Sequence, residues 1–198
     1  LHSSSKVEIS LDPGYNLRME VKRFLDSDQR PQATAIVASV AEFNLNSNGE
    51  LEFSGVLGAI ESSKPLNYVG FCGIELKMEN QSVVRIHENH ISFSIKHFYP
   101  SQATVTVHLI TEDQKSEERT YGLDHKMIPI SKVERIQFSF SQFCLSYRGE
   151  YENEFFDGQK KIKKIRIFFR RSQNLREETA ALPVGFVLIE PTAGSQGY

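Results

Sequence analysis

The sequence predicts an all-β protein: an antiparallel β-sandwich, jelly-roll-like, with about ten strands and little helix. Three observations carry this. Apolar and polar residues alternate over many short segments, as in Tyr15-Asn16-Leu17-Arg18-Met19-Glu20-Val21-Lys22, and a period of two marks a strand with one buried face. Turn-forming clusters such as Asp12-Pro13-Gly14 and Asn46-Ser47-Asn48-Gly49 separate these segments. Few stretches read as helix. A two-layer sandwich is the leading architecture and a closed barrel the second.

Taken in order, Val7, Ile9 and Leu11 alternate with polar residues and lead through Asp12-Pro13-Gly14 into the strand from Tyr15. A hairpin is expected there, since proline presets φ and glycine relaxes it. Residues 33–45 are nearly continuously apolar, and their β-branched members favour a strand over a buried helix. Phe43 and Leu45 then face Leu51 and Phe53 across the Asn46–Gly49 turn, a second hairpin. Cys72, Ile74, Leu76 and Met78 form the inward phase of another strand. A third hairpin is expected at Glu88-Asn89, between Val84/Ile86 and Ile91/Phe93/Ile95.

Val105, Val107 and Leu109 alternate again, and the charged stretch from Glu112 to Arg119 reads as a solvated loop. Ile136, Phe138 and Phe140 share one face with Cys144, but beyond Ser141 the apolar phase shifts to Phe143, Leu145 and Tyr147. A β-bulge near Ser141 is the expected cause. The closing strands are predicted at 165–169 and 184–189, with a short helix between Gln173 and Leu182. The chain is read as one domain, residues 1–191, and a loose tail, residues 192–198.

Composition narrows the function. A chain of 198 residues buries roughly 70% of its unfolded surface, so the core needs neither disulfide nor metal. Net charge is −2, from 23 basic and 25 acidic residues, which restricts any nucleic-acid footprint to a local patch. No apolar run reaches the roughly 18 residues of a membrane span. The two cysteines, Cys72 and Cys144, lack metal or disulfide spacing, and both read as inward. With no apolar leader at residues 1–6, an intracellular, cytoplasmic location is expected.

The least ordinary segment is the basic strand at residues 160–171. Ile165, Ile167 and Phe169 take the core phase, leaving Lys164, Arg166, Phe168 and Arg170 on the other face. Lys160, Lys161, Lys163, Lys164, Arg166, Phe168, Arg170 and Arg171 are therefore the candidate site for an anionic partner. Cations release counterions from phosphate and an exposed ring stacks on a base; acidic headgroups would meet the same stripe. The competing reading is a charged edge strand that resists sheet pairing. In that reading Glu150, Glu152 and Glu154 neutralise the stripe from a paired strand.

His87, His90, His97 and His108 fall on neighbouring predicted strands, but their face parity opposes a shared metal site. No phosphate loop, nucleophile elbow or dinucleotide fingerprint occurs; Gly55-Val56-Leu57-Gly58 and Gly70-Phe71-Cys72-Gly73 read as close strand packing. No cofactor and no catalytic residue is expected, and the protein is read as a non-enzyme.

The leading expectation is an interaction or assembly protein of viral structural, matrix or movement type, with self-association or adaptor-type protein contacts. The first alternative is nucleic-acid or acidic-membrane binding through residues 160–171. The second is a carbohydrate-binding module. The chain has no tryptophan, the largest stacking surface, so Tyr68, Phe71, Tyr99, Tyr147 and Tyr151 would serve there.

Overall fold

The period-two segments form thirteen strands among the residues that this computed structural model describes. Those residues are 4–12, 15–29, 39–47, 50–58, 70–78, 90–96, 103–126, 133–147, 150–157, 161–171 and 181–188. The strands are β1 (Ser4–Asp12), β2 (Tyr15–Leu25), β3 (Val40–Leu45), β4 (Leu51–Leu57), β5 (Phe71–Met78), β6 (His90–Lys96) and β7 (Ala103–Glu112). They continue with β8 (Glu118–Lys126), β9 (Val133–Ser139), β10 (Cys144–Tyr147), β11 (Glu150–Phe155), β12 (Lys161–Arg171) and β13 (Leu182–Leu188). One helical turn, Asp26–Gln29, follows β2.

Two antiparallel sheets result. The larger has the order β1-β2-β5-β12-β7-β8-β10-β11, and the smaller β3-β4-β13-β6-β9. The chain repeatedly crosses from one sheet to the other, between β2 and β3, β4 and β5, β5 and β6, β6 and β7, β8 and β9, β9 and β10, and β12 and β13. That alternation makes the sandwich jelly-roll-like. Its inner faces meet through aromatic rings: Phe53 of β4 stacks on Phe169 of β12 at 6.0 Å and tilts against Phe186 of β13 at 5.1 Å. All three are essentially solvent-free.

Two of the expected hairpins are present in register. Ile9 opposes Leu17 and Val7 opposes Met19 in β1–β2, while Phe43 opposes Phe53 and Leu45 opposes Leu51 in β3–β4. At the second turn the Asn46 side chain accepts from the Glu50 backbone N–H at 2.9 Å. Cys72, Ile74 and Leu76, like Val105, Val107 and Leu109, are buried as their alternation requires. The hairpin turn at Glu88-Asn89, residues 33–38 of the apolar run at 33–45, residues 173–180 of the helix expected between Gln173 and Leu182, and the tail lie outside the described residues; Leu182 itself begins β13.

Three expectations are corrected. The apolar phase shift near Ser141 is no bulge within one strand: β9 ends at Ser139, a 3-10 turn occupies Phe140–Gln142, and β10 joins the other sheet. A change of sheet reverses which side is the core. Cys144 accordingly does not point inward; it is half-buried, and Leu145 packs on the core instead.

The solvated loop expected at 112–119 differs in its bounds: it is the mostly exposed turn 113–117, and Glu112, Glu118 and Arg119 belong to the flanking strands. The Asp113 carboxylate accepts from the backbone N–H of Lys115 at 2.8 Å and of Glu117 at 2.9 Å, an Asx-type turn. Ser116 takes a positive φ of 60°. Glu112 and Glu118 then pair across β7 and β8.

Candidate functional site

The basic strand β12 is not an edge. It lies in the middle of the larger sheet, between β5 and β7, and the edges of that sheet are β1 and β11. The edge-strand reading therefore fails, because both ladders of β12 are occupied. Its facing is as the alternation dictates. Ile165, Ile167 and Phe169 are buried in the sandwich, and Lys164, Arg166, Phe168 and Arg170 lie on the outward face.

The structure separates the candidate residues. Lys160 lies outside the described residues, and Arg171 is described only in its backbone pairing with Ala103. Lys161 opposes Glu112, and a register shift follows between Ile162 and Lys164. Lys163 there meets Glu118 at 3.0 Å and Glu112 at 3.6 Å.

Arg166 donates through Nε to Glu75 Oε2 at 2.7 Å, and its guanidinium lies 4.8 Å over the ring of Phe24. Lys164 and Lys22 stand 4.0 Å and 3.6 Å from Glu75 Oε1. Phe168 is only 7% exposed, tilted against Phe24 and Phe71 and edge-on to His108 at 5.0 Å. It is a floor rather than a free stacking platform.

Arg170 donates from Nε to Thr106 Oγ1 at 3.0 Å and from Nη2 to Asp124. Asp124 Oδ1 also accepts from Thr106 at 2.8 Å and from the Tyr151 hydroxyl at 2.7 Å. Four side chains from β7, β8, β11 and β12 thus share one hydrogen-bonded constellation. The carboxylates that answer the stripe are Glu75 and Asp124 on this face, with Glu112 and Glu118 at the β7–β8 hairpin. Glu150–Glu154 do not pair with β12, since β11 is hydrogen-bonded to β10 three strands away.

Antiparallel register aligns these groups. One row crosses seven strands: Lys22, Glu75, Arg166, His108, Gly122, Cys144 and Phe155. At about 4.8 Å between strands it runs about 29 Å. The adjoining row holds Phe24, Gly73, Phe168, Thr106 and Asp124. Gly73 is required by close approach, because a Cβ would fall 2.1 Å from the Ile167 carbonyl oxygen. Tyr151 and Phe155, 43% and 53% exposed, offer rings to solvent at the β11 end.

Electrostatics fix the charge states. Burial works to raise the Glu75 pKa, but its bond to Arg166 and the charges of Arg166, Lys164 and Lys22 outweigh it, and the carboxyl sits below its usual range. Burial pushes His108 down to about 4, helped by Arg166 and Arg170 and opposed by Asp124. His108 is therefore a neutral imidazole at pH 7, and its Nδ1 is buried without a hydrogen-bond partner. Burial, with Asp124 beside it, raises the Tyr151 phenol.

The two candidate histidines among the described residues, His90 and His108, do not converge. His90 belongs to the smaller sheet and His108 to the larger, and His87 and His97 lie outside the described residues. Among the described residues no group of three His, Cys, Asp or Glu could hold a metal ion. Sequence reasoning named Tyr151 but missed Lys22, Glu75, Thr106, Gly122 and Asp124. Glu75 and Lys22 do fall on polar phases of clear strands; what was not visible is which strands adjoin β12.

No family model and no curated protein matches the chain. Solved structures do. One is a family 11 carbohydrate-binding module from Clostridium thermocellum in complex with a β-1,3-1,4-mixed-linked tetrasaccharide. The match has a TM-score of 0.49 at 13% identity and covers 94% of this chain and 96% of that one. The family 11 module of the cellulosomal cellulase Lic26A-Cel5E of Clostridium thermocellum follows at 0.48 and 12%, covering 94% and 95%. A solution structure of CtCBM11 matches at 0.43 and 14%, covering 96% and 90%. At this distance what those modules bind stays with them.

Proposed function

We propose that this protein is a non-catalytic carbohydrate-binding module that holds an oligosaccharide across the outward face of its larger sheet. The observation that carries the reading is the meeting of exposed rings, Tyr151 and Phe155, with the hydrogen-bonded set Asp124, Arg170, Thr106 and Tyr151 on one face. A sugar ring has an apolar C–H face and a rim of hydroxyls that both donate and accept. Aromatic surface suits the first. Fixed planar groups with bonding capacity to spare suit the second: a carboxylate accepts about four hydrogen bonds, and Arg170 Nη1 makes none among the described residues. Holding these groups in place beforehand lowers the entropy lost on binding.

Nucleic acid or acidic membrane would draw on the same strand, but Lys163, Arg166 and Arg170 already face carboxylates at contact distance, so β12 offers no continuous row of unpaired cations for a phosphate backbone or a headgroup layer to follow. Assembly through the exposed edge β11 is disfavoured by Glu150, Glu152 and Glu154, which repel a second copy of that strand. The test is a glycan array followed by titration calorimetry. Binding to a subset of oligosaccharides is expected, weakened at least tenfold by Tyr151→Ala and by Arg170→Ala. An array without a hit overturns the proposal.

A further inference from the structure

The two ends of the outward face differ in charge balance. At Asp124 one carboxylate meets one guanidinium, and polar hydrogens complete the site. At Glu75 one carboxylate, itself only 3% exposed, is ringed by Arg166, Lys22 and Lys164 at 2.7, 3.6 and 4.0 Å. A single cation would have satisfied it. Among these four groups the excess is two positive charges, and the next carboxylate that acts on Lys164 and Arg166 is Glu118 at the β7–β8 hairpin, itself bonded to Lys163. Lys77 and Glu20, neighbours in the next row, offset one another.

The bonding is incomplete in the same place. Glu75 Oε1, which the two lysines approach, makes no hydrogen bond, so neither ammonium has spent a proton on it. Among the described residues Arg166 bonds through Nε alone, and its Nη1 and Nη2 make no hydrogen bond. Stacking on Phe24 fixes the plane of that guanidinium. A rigid fork with its outer edge open, flanked by two ammonium groups, is the geometry that receives a carboxylate bidentately. Glu75 then acts as the anchor that gathers the three cations.

We infer that the ligand is an acidic saccharide, one of whose uronate carboxylates docks between Lys22, Lys164 and Arg166 while neighbouring sugar rings extend along the row toward His108 and Tyr151. This rests on the carbohydrate reading above and names the ligand class of that site.

The test uses the full chain and matched polymers: polygalacturonate and alginate, the carboxyl-reduced neutral form of each, dextran sulfate and single-stranded RNA. At least one uronate polymer is expected to bind, and its carboxyl-reduced form at least tenfold more weakly. Arg166→Gln strands the buried Glu75, so the informative variant is Lys22→Gln with Lys164→Gln, which keeps the Arg166–Glu75 bond. It should lose most of the preference for the acidic polymer while retaining affinity for the neutral form, with a melting temperature lowered by less than Arg166→Gln lowers it, since the Arg166–Glu75 bond remains. Equal affinity for acidic and reduced polymers, or binding of neutral glycans alone, overturns this inference and leaves carbohydrate binding standing. Tighter binding of dextran sulfate than of either uronate polymer overturns the carboxylate assignment. Binding of RNA alone, or of none of the probes together with an empty glycan array, overturns both.

Discussion

The ring of Tyr151 lies across the bare backbone of Gly122. A Cβ at Gly122 would come within 2.7 Å of Tyr151 Cε1, 3.0 Å of its hydroxyl oxygen and 3.0 Å of His108 Cδ2. The missing side chain lets an edge-strand tyrosine lean over β10 and reach Asp124 on β8. Gly122→Ala is therefore expected to displace the ring and break the 2.7 Å bond to Asp124. Overpacking of this kind costs roughly 1–3 kcal/mol. Because Tyr151 can swing outward, stability should fall by less than saccharide affinity does, comparing urea denaturation with calorimetry.

Glu75 holds three cations together, and its replacement should be felt throughout the face. Glu75→Gln is expected to destabilise by about 2–3 kcal/mol. That is below the roughly 3–5 kcal/mol of a broken, fully buried pair, since the Arg166 side chain is 25% exposed. Its folded pKa lies below the unfolded value, so the stability it contributes is present above about pH 4.5 and lost as pH falls through the folded value. Chemical denaturation of both proteins at pH 7 and pH 3 checks this; the difference between them should shrink at pH 3.

His108 acts in a different window. Its folded pKa, about 4, lies below the ordinary 6.5, so the unfolded chain binds the proton first on acidification. Stability is then full above about pH 6.5 and declines between 6.5 and 4, by about 2 kcal/mol at pH 5. His108→Gln should flatten the melting-temperature profile across that interval and leave the steeper loss below pH 4.5 in place.

Phe168 and Phe169 are neighbours with opposite duties. Phe169, fully buried, touches Phe53 and Phe186 of the smaller sheet, so Phe169→Ala opens a void between the layers and is expected to cost about 3–5 kcal/mol. Among the described residues the ring contacts of Phe168 are with side chains of its own sheet, Phe24, Phe71 and His108. Phe168→Ala should cost less, and it should weaken saccharide binding because Phe168 supports His108 and Phe24, the ring on which Arg166 lies. Urea midpoints for the two variants, set beside their affinities, separate the roles.

What the sequence by itself determined is local. Alternation assigned the faces of β2, β5, β7 and β12, and turn chemistry joined β1 to β2 and β3 to β4, because both act over a few residues and need no partner. The outward placement of Lys164, Arg166, Phe168 and Arg170 followed from Ile165, Ile167 and Phe169 alone. What only the tertiary structure decided is adjacency. β12 is central because Phe71–Met78 and Ala103–Glu112, both distant from it in the chain, flank it. Glu75 and Asp124 reach the arginines by that pairing alone. Register across a sheet is set by long-range packing of the buried faces, so no local pattern could show that Lys22, Glu75, Arg166 and His108 stand in one line.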